Sequence, residues 1–337
     1  MLLSIDAGSS IINIVEGEAK KGGVFVKRAA MVQTPPASIQ DGNLSELSSI
    51  ADAIRSAMSA SGMTSNRVIF TVGSTEILHR ELTIPRGDPK KLAPIVHNEM
   101  YQHLTGTEPY AVDYLPSDEL VEDNPLMQRV YASGMPRKMA AQYHTLTGML
   151  KLKPASLQMH PSAVTKLIKN ATVNDTAIAG KSFILCDIGM STMHLYLFSN
   201  NKMVFSRCIK NTYPDFVKNM LMLDGFDTPA QVSERADLSP EALAANPRVS
   251  YASMMFLSAL SEEIQRLIQF SLSRRLKTPI EAVYLCGGVS NIRGLAASLT
   301  ASLELPVEGI DRLSTVHGAF SGSTAEYINA IAAIAEP

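Results

Sequence analysis

Tryptophan is absent from the 337 residues, and cysteine occurs only at Cys186, Cys208 and Cys286. These thiols are far apart, without metal-ligand spacing, and an odd, sparse set fits reduced thiols in a cytosolic compartment. No charge sign dominates: 30 basic against 32 acidic residues give a net charge of -2, so no global field draws nucleic acid or an anionic membrane. No uninterrupted apolar run reaches the roughly 20 residues of a membrane-spanning helix. Residues 1–5 lack the basic start and long apolar core of a signal peptide. What is present is a chain 46% hydrophobic, long enough for two lobes that each bury a core. Its 17 methionines are read as gap-fillers in those cores.

The chain contains a repeat. Residues 2–10 read Leu-Leu-Ser-Ile-Asp-Ala-Gly-Ser-Ser, and residues 183–192 read Phe-Ile-Leu-Cys-Asp-Ile-Gly-Met-Ser-Thr, so that Asp6, Gly8 and Ser10 recur as Asp187, Gly189 and Ser191. Each copy continues with an apolar strand, a polar turn (20–23 and 200–201) and another strand (24–30 and 203–209). This pattern predicts a duplicated fold in which two Asp-x-Gly hairpins face each other across a cleft.

Between the copies, periodicity predicts a helix over 44–60, with Asn43 and Glu46 as a capping box and Gly62 as its stop. Strands follow at 67–73 and 77–84, then a helix of about fifteen residues from Asp88-Pro89 that Pro94 complicates. Further strands at 111–115 and 128–133 flank an acidic loop at 117–124. Helices are expected at 136–148 and 161–169, with a short strand at 156–159. After the second copy come helices at 213–223 and 251–277, a strand at 282–285, a Gly-rich turn at 286–290 and a helix at 292–303. The cluster Arg274, Arg275 and Lys277 is read as cations at the negative end of a helix dipole. A last helix, 325–335, has no Lys or Arg on a polar face, unlike membrane-surface helices, and is expected to dock on the protein.

Three Gly-containing turns, each after an apolar strand, carry the chemistry. Glycine lets the backbone come close to a ligand, and successive free N–H groups form an anion-binding nest. The hydroxyls of Ser9, Ser10, Ser191 and Thr192 would add donors to phosphate oxygens. Asp6 and Asp187 repel phosphate at neutral pH, so their expected role is to hold Mg²⁺ through its waters. Two matched Asp-x-Gly hairpins and a strand-Gly-Gly-helix turn point together to an adenine-nucleotide cleft.

The order Asp6-Ala-Gly-Ser-Ser, Asp187-Ile-Gly-Met-Ser-Thr and Leu285-Cys-Gly-Gly-Val-Ser-Asn-Ile-Arg-Gly294 resembles the two phosphate motifs and the adenosine motif of the actin/Hsp70/sugar-kinase superfamily. Within it the chain is similar to the PilM/FtsA-like branch, over nearly its whole length. The resemblance implies an α/β, actin-like duplicated ribonuclease-H-like fold, two lobes around a nucleotide cleft. The first lobe would be 1–66 with 153–180, the inserted αβ subdomain 67–152, the second lobe 181–322, and 323–337 a helix returning to the first lobe. It implies ATP or ADP with Mg²⁺ bound by Gly8, Ser9, Ser10, Asn13, Gly189, Ser191, Thr192, Glu234, Gly287, Gly288, Asn291 and Arg293. It also implies a partner, the cytoplasmic N-terminal peptide of a PilN-like inner-membrane protein, docking beside the inserted subdomain. The protein would then be cytoplasmic, held at the inner face of the membrane through that partner, with a homo-oligomer left open.

Three positions depart from the pattern. Asn13 stands where similar proteins place a phosphate-reaching Lys, and His160-Pro161 replaces Glu-Pro. Glu234 and Arg235 are the nearest candidates for a Glu and Lys that reach the ribose. Phosphoryl transfer rests on positioned charge, so a cleft that keeps its shape and loses charge implies weak or absent hydrolysis, with Asp187 and His160 the only catalytic candidates. The expected role is a pilus-assembly scaffold; the alternatives are an active ATPase or small-molecule kinase, or an FtsA-like polymerising division protein.

Overall fold

A computed structural model describes residues 1–104, 109–121, 124–274 and 278–336. The chain opens with β1 (Leu2–Ala7), β2 (Ile11–Lys20) and β3 (Gly23–Gln33), an antiparallel meander, then the small pair β4 (Ile39–Gln40) and β5 (Asn43–Leu44) and helix α1 (Leu47–Ala60). Strand β6 (Arg67–Val72) returns parallel to β1. Next come β7 (Leu78–Pro85), α2 (Pro89–Tyr101), β8 (Tyr110–Val121), β9 (Asn124–Pro136), α3 (Arg137–Met149), β10 (Lys153–Met159) and α4 (His160–Ile168).

A hairpin of β11 (Thr172–Val173) and β12 (Thr176–Ala177) leads to the second meander, β13 (Ser182–Ile188), β14 (Thr192–Ser199) and β15 (Lys202–Lys210). Helices α5 (Tyr213–Met220), α6 (Pro229–Arg235), α7 (Pro240–Ala245) and α8 (Pro247–Ser273) follow, then β16 (Ile280–Cys286), a 3₁₀ turn over Gly288–Asn291, and α9 (Leu295–Leu303). The chain closes with β17 (Val307–Gly309), β18 (Val316–His317) and α10 (Thr324–Ile334).

Duplication is explicit in the sheets. One runs β10-β6-β1-β2-β3-β18 and the other β15-β14-β13-β16-β17, so β3-β2-β1-β6-β10 and β15-β14-β13-β16-β17 have the same order and senses. In each lead strand, alternation puts one set of side chains on the lobe's outer helices and the other between the sheets. Leu3, Ile5 and Ala7 join the core under α1 and α3, and Ile184, Cys186 and Ile188 the core under α5 and α8. The opposite faces meet in a shared central core with α4 and α10. Asp6 and Asp187 share the phase of those opposite faces, which is why both look inward.

Within 67–152, the region expected to be inserted, only part stands apart from the first sheet. β6 is a strand of the first sheet and α3 packs in that sheet's core, leaving β7, β8, β9 and α2 as a separate layer with its own core of Leu82, Ile84, Leu92, Val96, Met100, Val130 and Ala132. This layer also touches the second half: Tyr131 and Ser206 hydroxyls lie 2.5 Å apart, and Arg274 reaches Glu81 at 3.3 Å.

Some element boundaries differ from the sequence expectation. α1 begins at Leu47, because Asn43 is held in β5 opposite Gln40 and its amide donates to Glu76 Oε1 at 2.7 Å, so Asn43 and Glu46 form no capping box. α8 begins at Pro247, since Asn246 accepts from Val249 N and Pro is suited to the first turn. The segment 117–124 is mostly strand: β8 runs to Val121 and β9 starts at Asn124, while Glu122 and Asp123 lie outside the described residues. Arg275 and Lys277 also lie outside them. Helix α10 is buried on all sides, against β1, β2, β6 and α4 and also β16. Among the described residues no helix is long and apolar enough to cross a membrane.

Candidate functional site

The two Asp-x-Gly turns are built by the same bonds. Gly8 N donates to Ile11 O at 3.1 Å and Gly189 N to Thr192 O at 3.0 Å. The residue after each third strand then closes the loop: Thr34 donates its N to Ser10 O and its hydroxyl to Gly8 O, while Asn211 donates its N to Ser191 O and its amide to Gly189 O. Backbone held at both ends keeps the remaining loop donors facing the space between the lobes.

That space is a cleft of about 150 Å³. Of the residues expected there, Gly8, Ser9, Ser10, Asn13, Gly189, Ser191, Thr192, Gly287 and Gly288 line it, with Asp6, Asp187 and His160 on its floor. Ser9 and Ser191 hydroxyls are 2.6 Å apart, so the two loops touch directly. Asn13 faces sideways, its amide donating to the Glu326 carbonyl at 3.0 Å. Three expected residues do not line the cleft: Glu234 is exposed on α6, Arg293 is paired with Asp237 at 3.0 Å, and Asn291 donates to Glu326 Oε1 at 3.1 Å near the rim.

The floor is a set of bonds among buried side chains. Asp6 Oδ1 accepts from His160 Nε2 at 2.8 Å and from Thr71 Oγ1 at 2.9 Å. Asn329 of α10 donates from Nδ2 to Asp187 Oδ2 at 2.9 Å and to Asp6 Oδ2 at 3.5 Å. Burial alone would raise Asp6, but the His160 charge and the bonds from His160, Thr71 and Asn329 hold it below the usual carboxylate range. Burial would lower His160, yet the Asp6 charge and bond, with the Asp187 charge, raise it. Asp187 is raised by burial, with Asp6 repulsion adding to it against His160 and Asn329. His194 is pushed well down by burial and by the charges of His160 and His79. At neutral pH the floor is therefore an Asp6–His160 ion pair beside a neutral His194. The His160 ring is thus engaged with Asp6 through Nε2.

Mg²⁺ shared by Asp6 and Asp187 does not fit this floor. The amide of Asn329 occupies the bridging position between the carboxylates, and Asp6 Oδ1 already accepts two donors. Among the described residues no group of three or more His, Cys, Asp or Glu could hold a metal ion.

Sequence reasoning missed His194, Asn329, Thr71, Gly73, Asp41 and Glu326. Two of them had a legible signal. His194 pairs with Asp187 as Asn13 pairs with Asp6, so the repeat itself marks it. Asn329 is a polar residue inside an otherwise apolar helix surface, Ile328 to Ile334. Thr71 is positioned by strand pairing opposite Asp6, which only the topology reveals.

A second groove, of about 480 Å³, lies beside the insertion, lined by Gln40, Asn43, Leu44, Ser45, Glu76, Tyr110, Pro136, Lys138 and Gln142. Gln142 Oε1 accepts from Leu44 N at 3.0 Å, tying α3 to β5.

A family model described as type IV pilus assembly protein PilM matches residues 4–319. Among solved structures, the PilM-PilN type IV pilus biogenesis complex aligns at TM-score 0.80 and 21% identity, covering 99% of this chain and 96% of that one. The ethanolamine utilization protein EutJ from Carboxydothermus hydrogenoformans aligns at TM-score 0.53 and 12% identity, over 98% of this chain and 88% of that one. MreB 5 of Spiroplasma citri bound to AMPPNP aligns at 0.52 and 11%, over 92% and 91%. These likenesses show an actin-like fold. No curated protein sequence matches the chain.

Proposed function

Because this chain belongs to the type IV pilus assembly protein PilM family, we propose that it is a cytoplasmic scaffold for a membrane partner, the N-terminal peptide of a PilN-like inner-membrane protein. The observation that carries this reading is the family match across residues 4–319. The groove beside the insertion supports it, since its walls mix apolar faces (Leu44, Tyr110, Pro136) with unlike charges (Glu76, Lys138) and amides. An extended peptide is held by such a surface through side-chain pockets and main-chain bonds. The protein is then kept at the inner face of the membrane by its partner.

The cleft is read as an adenine-nucleotide site of weak or absent hydrolysis. Its phosphate-facing groups are loop N–H groups and hydroxyls, and the Asn13 amide is engaged with the Glu326 carbonyl. His160, the base candidate on the cleft floor, is engaged with Asp6 through Nε2 at 2.8 Å. Charge and an oriented nucleophile are what phosphoryl transfer requires.

Calorimetric titration with the cytoplasmic N-terminal tail of a PilN-like protein from the same organism tests the scaffold reading. Binding in the micromolar range, weakened about tenfold or more by Lys138→Glu with an unchanged melting curve, is the expected result. No binding by the wild type would overturn it.

A further inference from the structure

The cleft floor carries a consequence for any nucleotide held above it. Asp6 Oδ1 accepts from His160 and Thr71, and Asp6 Oδ2 and Asp187 Oδ2 both face the Asn329 amide. A hydrated divalent cation between these acids needs their oxygens as acceptors for itself or its waters. The place it would take is filled by an N–H donor pair from a helix that is buried on all sides and cannot swing away. Asn329 is 6% exposed and its Oδ1 has no partner among the described residues, so the amide is oriented by the two carboxylates alone. His160 Nε2, 2.8 Å from Asp6 Oδ1, takes one of that carboxylate's acceptor positions.

We propose that the floor of this cleft excludes a divalent cation, with Asn329 and His160 standing in its place, so that a nucleotide bound there is held metal-free. This rests on the nucleotide reading above. The phosphates are then held by neutral donors, the loop N–H groups and the hydroxyls of Ser9, Ser10, Ser191 and Thr192, since successive backbone N–H groups form an anion-binding concavity. Ser9 and Ser191 exchange their mutual 2.6 Å bond for phosphate oxygens.

The test titrates the full-length protein with ADP by calorimetry in excess EDTA and in excess Mg²⁺, and separately with Mn²⁺ alone by electron paramagnetic resonance. Wild type should bind ADP equally in both buffers, within about threefold, and show no Mn²⁺ site. Asn329→Asp adds a third carboxylate at the bridging position. It should gain a Mn²⁺ site and bind ADP about tenfold or more tighter with Mg²⁺ than without. Wild-type ADP binding that tightens about tenfold or more with Mg²⁺ overturns the inference. So does wild-type Mn²⁺ binding that Asp187→Asn abolishes. Absence of ADP binding in both buffers overturns the nucleotide reading, while the Mn²⁺ titration still decides whether the floor excludes the cation.

Discussion

The two halves of the molecule share a backbone and differ in what they place on it. Strand order, loop closure and the inward aspartate are the same in both, down to Thr34 and Asn211 capping Gly8 and Gly189, each at 2.7 Å. By register, Asn13 answers to His194, Glu16 to Leu197 and Arg28 to Phe205. One half therefore holds a buried carboxylate, Glu16, that accepts Thr64 N, Ser65 N and Arg28 at 2.8, 2.7 and 2.6 Å, where the other holds apolar contact. Asp6 is paired with His160, while among the described residues Asp187 is bonded to the amide of Asn329. The duplicated frame fixes geometry, and single substitutions on it decide whether the cleft is charged or neutral.

The sharpest break in the comparison is at the glycines after β6 and β16. Gly287 has φ +85°, and a Cβ there would stand 2.6 Å from Ile188 O as well as against Asp187. Gly287→Val should cost about 3 kcal/mol or more, read as a lost or much lowered melting transition. At Gly73 a Cβ would instead meet the buried imidazole rings of His194 and His160 and no backbone atom among the nearest three. Gly73→Ala should be milder and should disturb the histidines first. Gly288 has nothing within 4 Å of a Cβ, so a side chain there should fill the cleft and leave the fold intact.

Next in size is the ion pair. His160→Ala leaves Asp6 buried beside Thr71 and Asn329 and should destabilise by about 3 kcal/mol near neutral pH in chemical denaturation. Its folded pKa is raised, so the stabilisation is complete below about pH 6.5 and is lost as pH rises through the folded value. The gap between wild type and variant should therefore narrow in alkaline buffer. A gap that widened would contradict the pairing.

Glu16→Ala should cost about 2–3 kcal/mol, because two backbone N–H groups and Arg28 lose their acceptor. Burial opposes the shift, but the bonds from Thr64, Ser65 and Arg28 bring Glu16 down to about 2. Its contribution is present above pH 4.5 and is lost as pH falls toward 2. Leu197→Ala in the other half should cost a similar amount with no such acid dependence. Smallest are the loop caps: Thr34→Val and Asn211→Ala should each cost about 1 kcal/mol. Near-equal values would confirm that the two loops are held alike.

Much of this was legible in the residues. Matched Asp-x-Gly turns, with polar turns and strands at matched distances, give the duplication, and the Gly-Gly turn after an apolar strand gives the third wall. What escaped were contacts made across the fold. Asn43 looks like a helix cap until β4 pairs with β5 and Glu76 takes its amide. Asn329, 323 positions from Asp6, meets it only because α10 returns between the sheets. Glu234, Arg293 and Asn291 resemble ribose and adenine contacts in order along the chain, yet exposure and local pairing keep them off the cleft lining.

We propose that this chain works by holding a partner and not by turning over ATP. Steady-state phosphate release from Mg-ATP by the full-length protein, beside Asp187→Asn, tests it most directly. The account predicts that the two are indistinguishable from each other and from the buffer rate. Robust wild-type turnover that Asp187→Asn abolishes would contradict it.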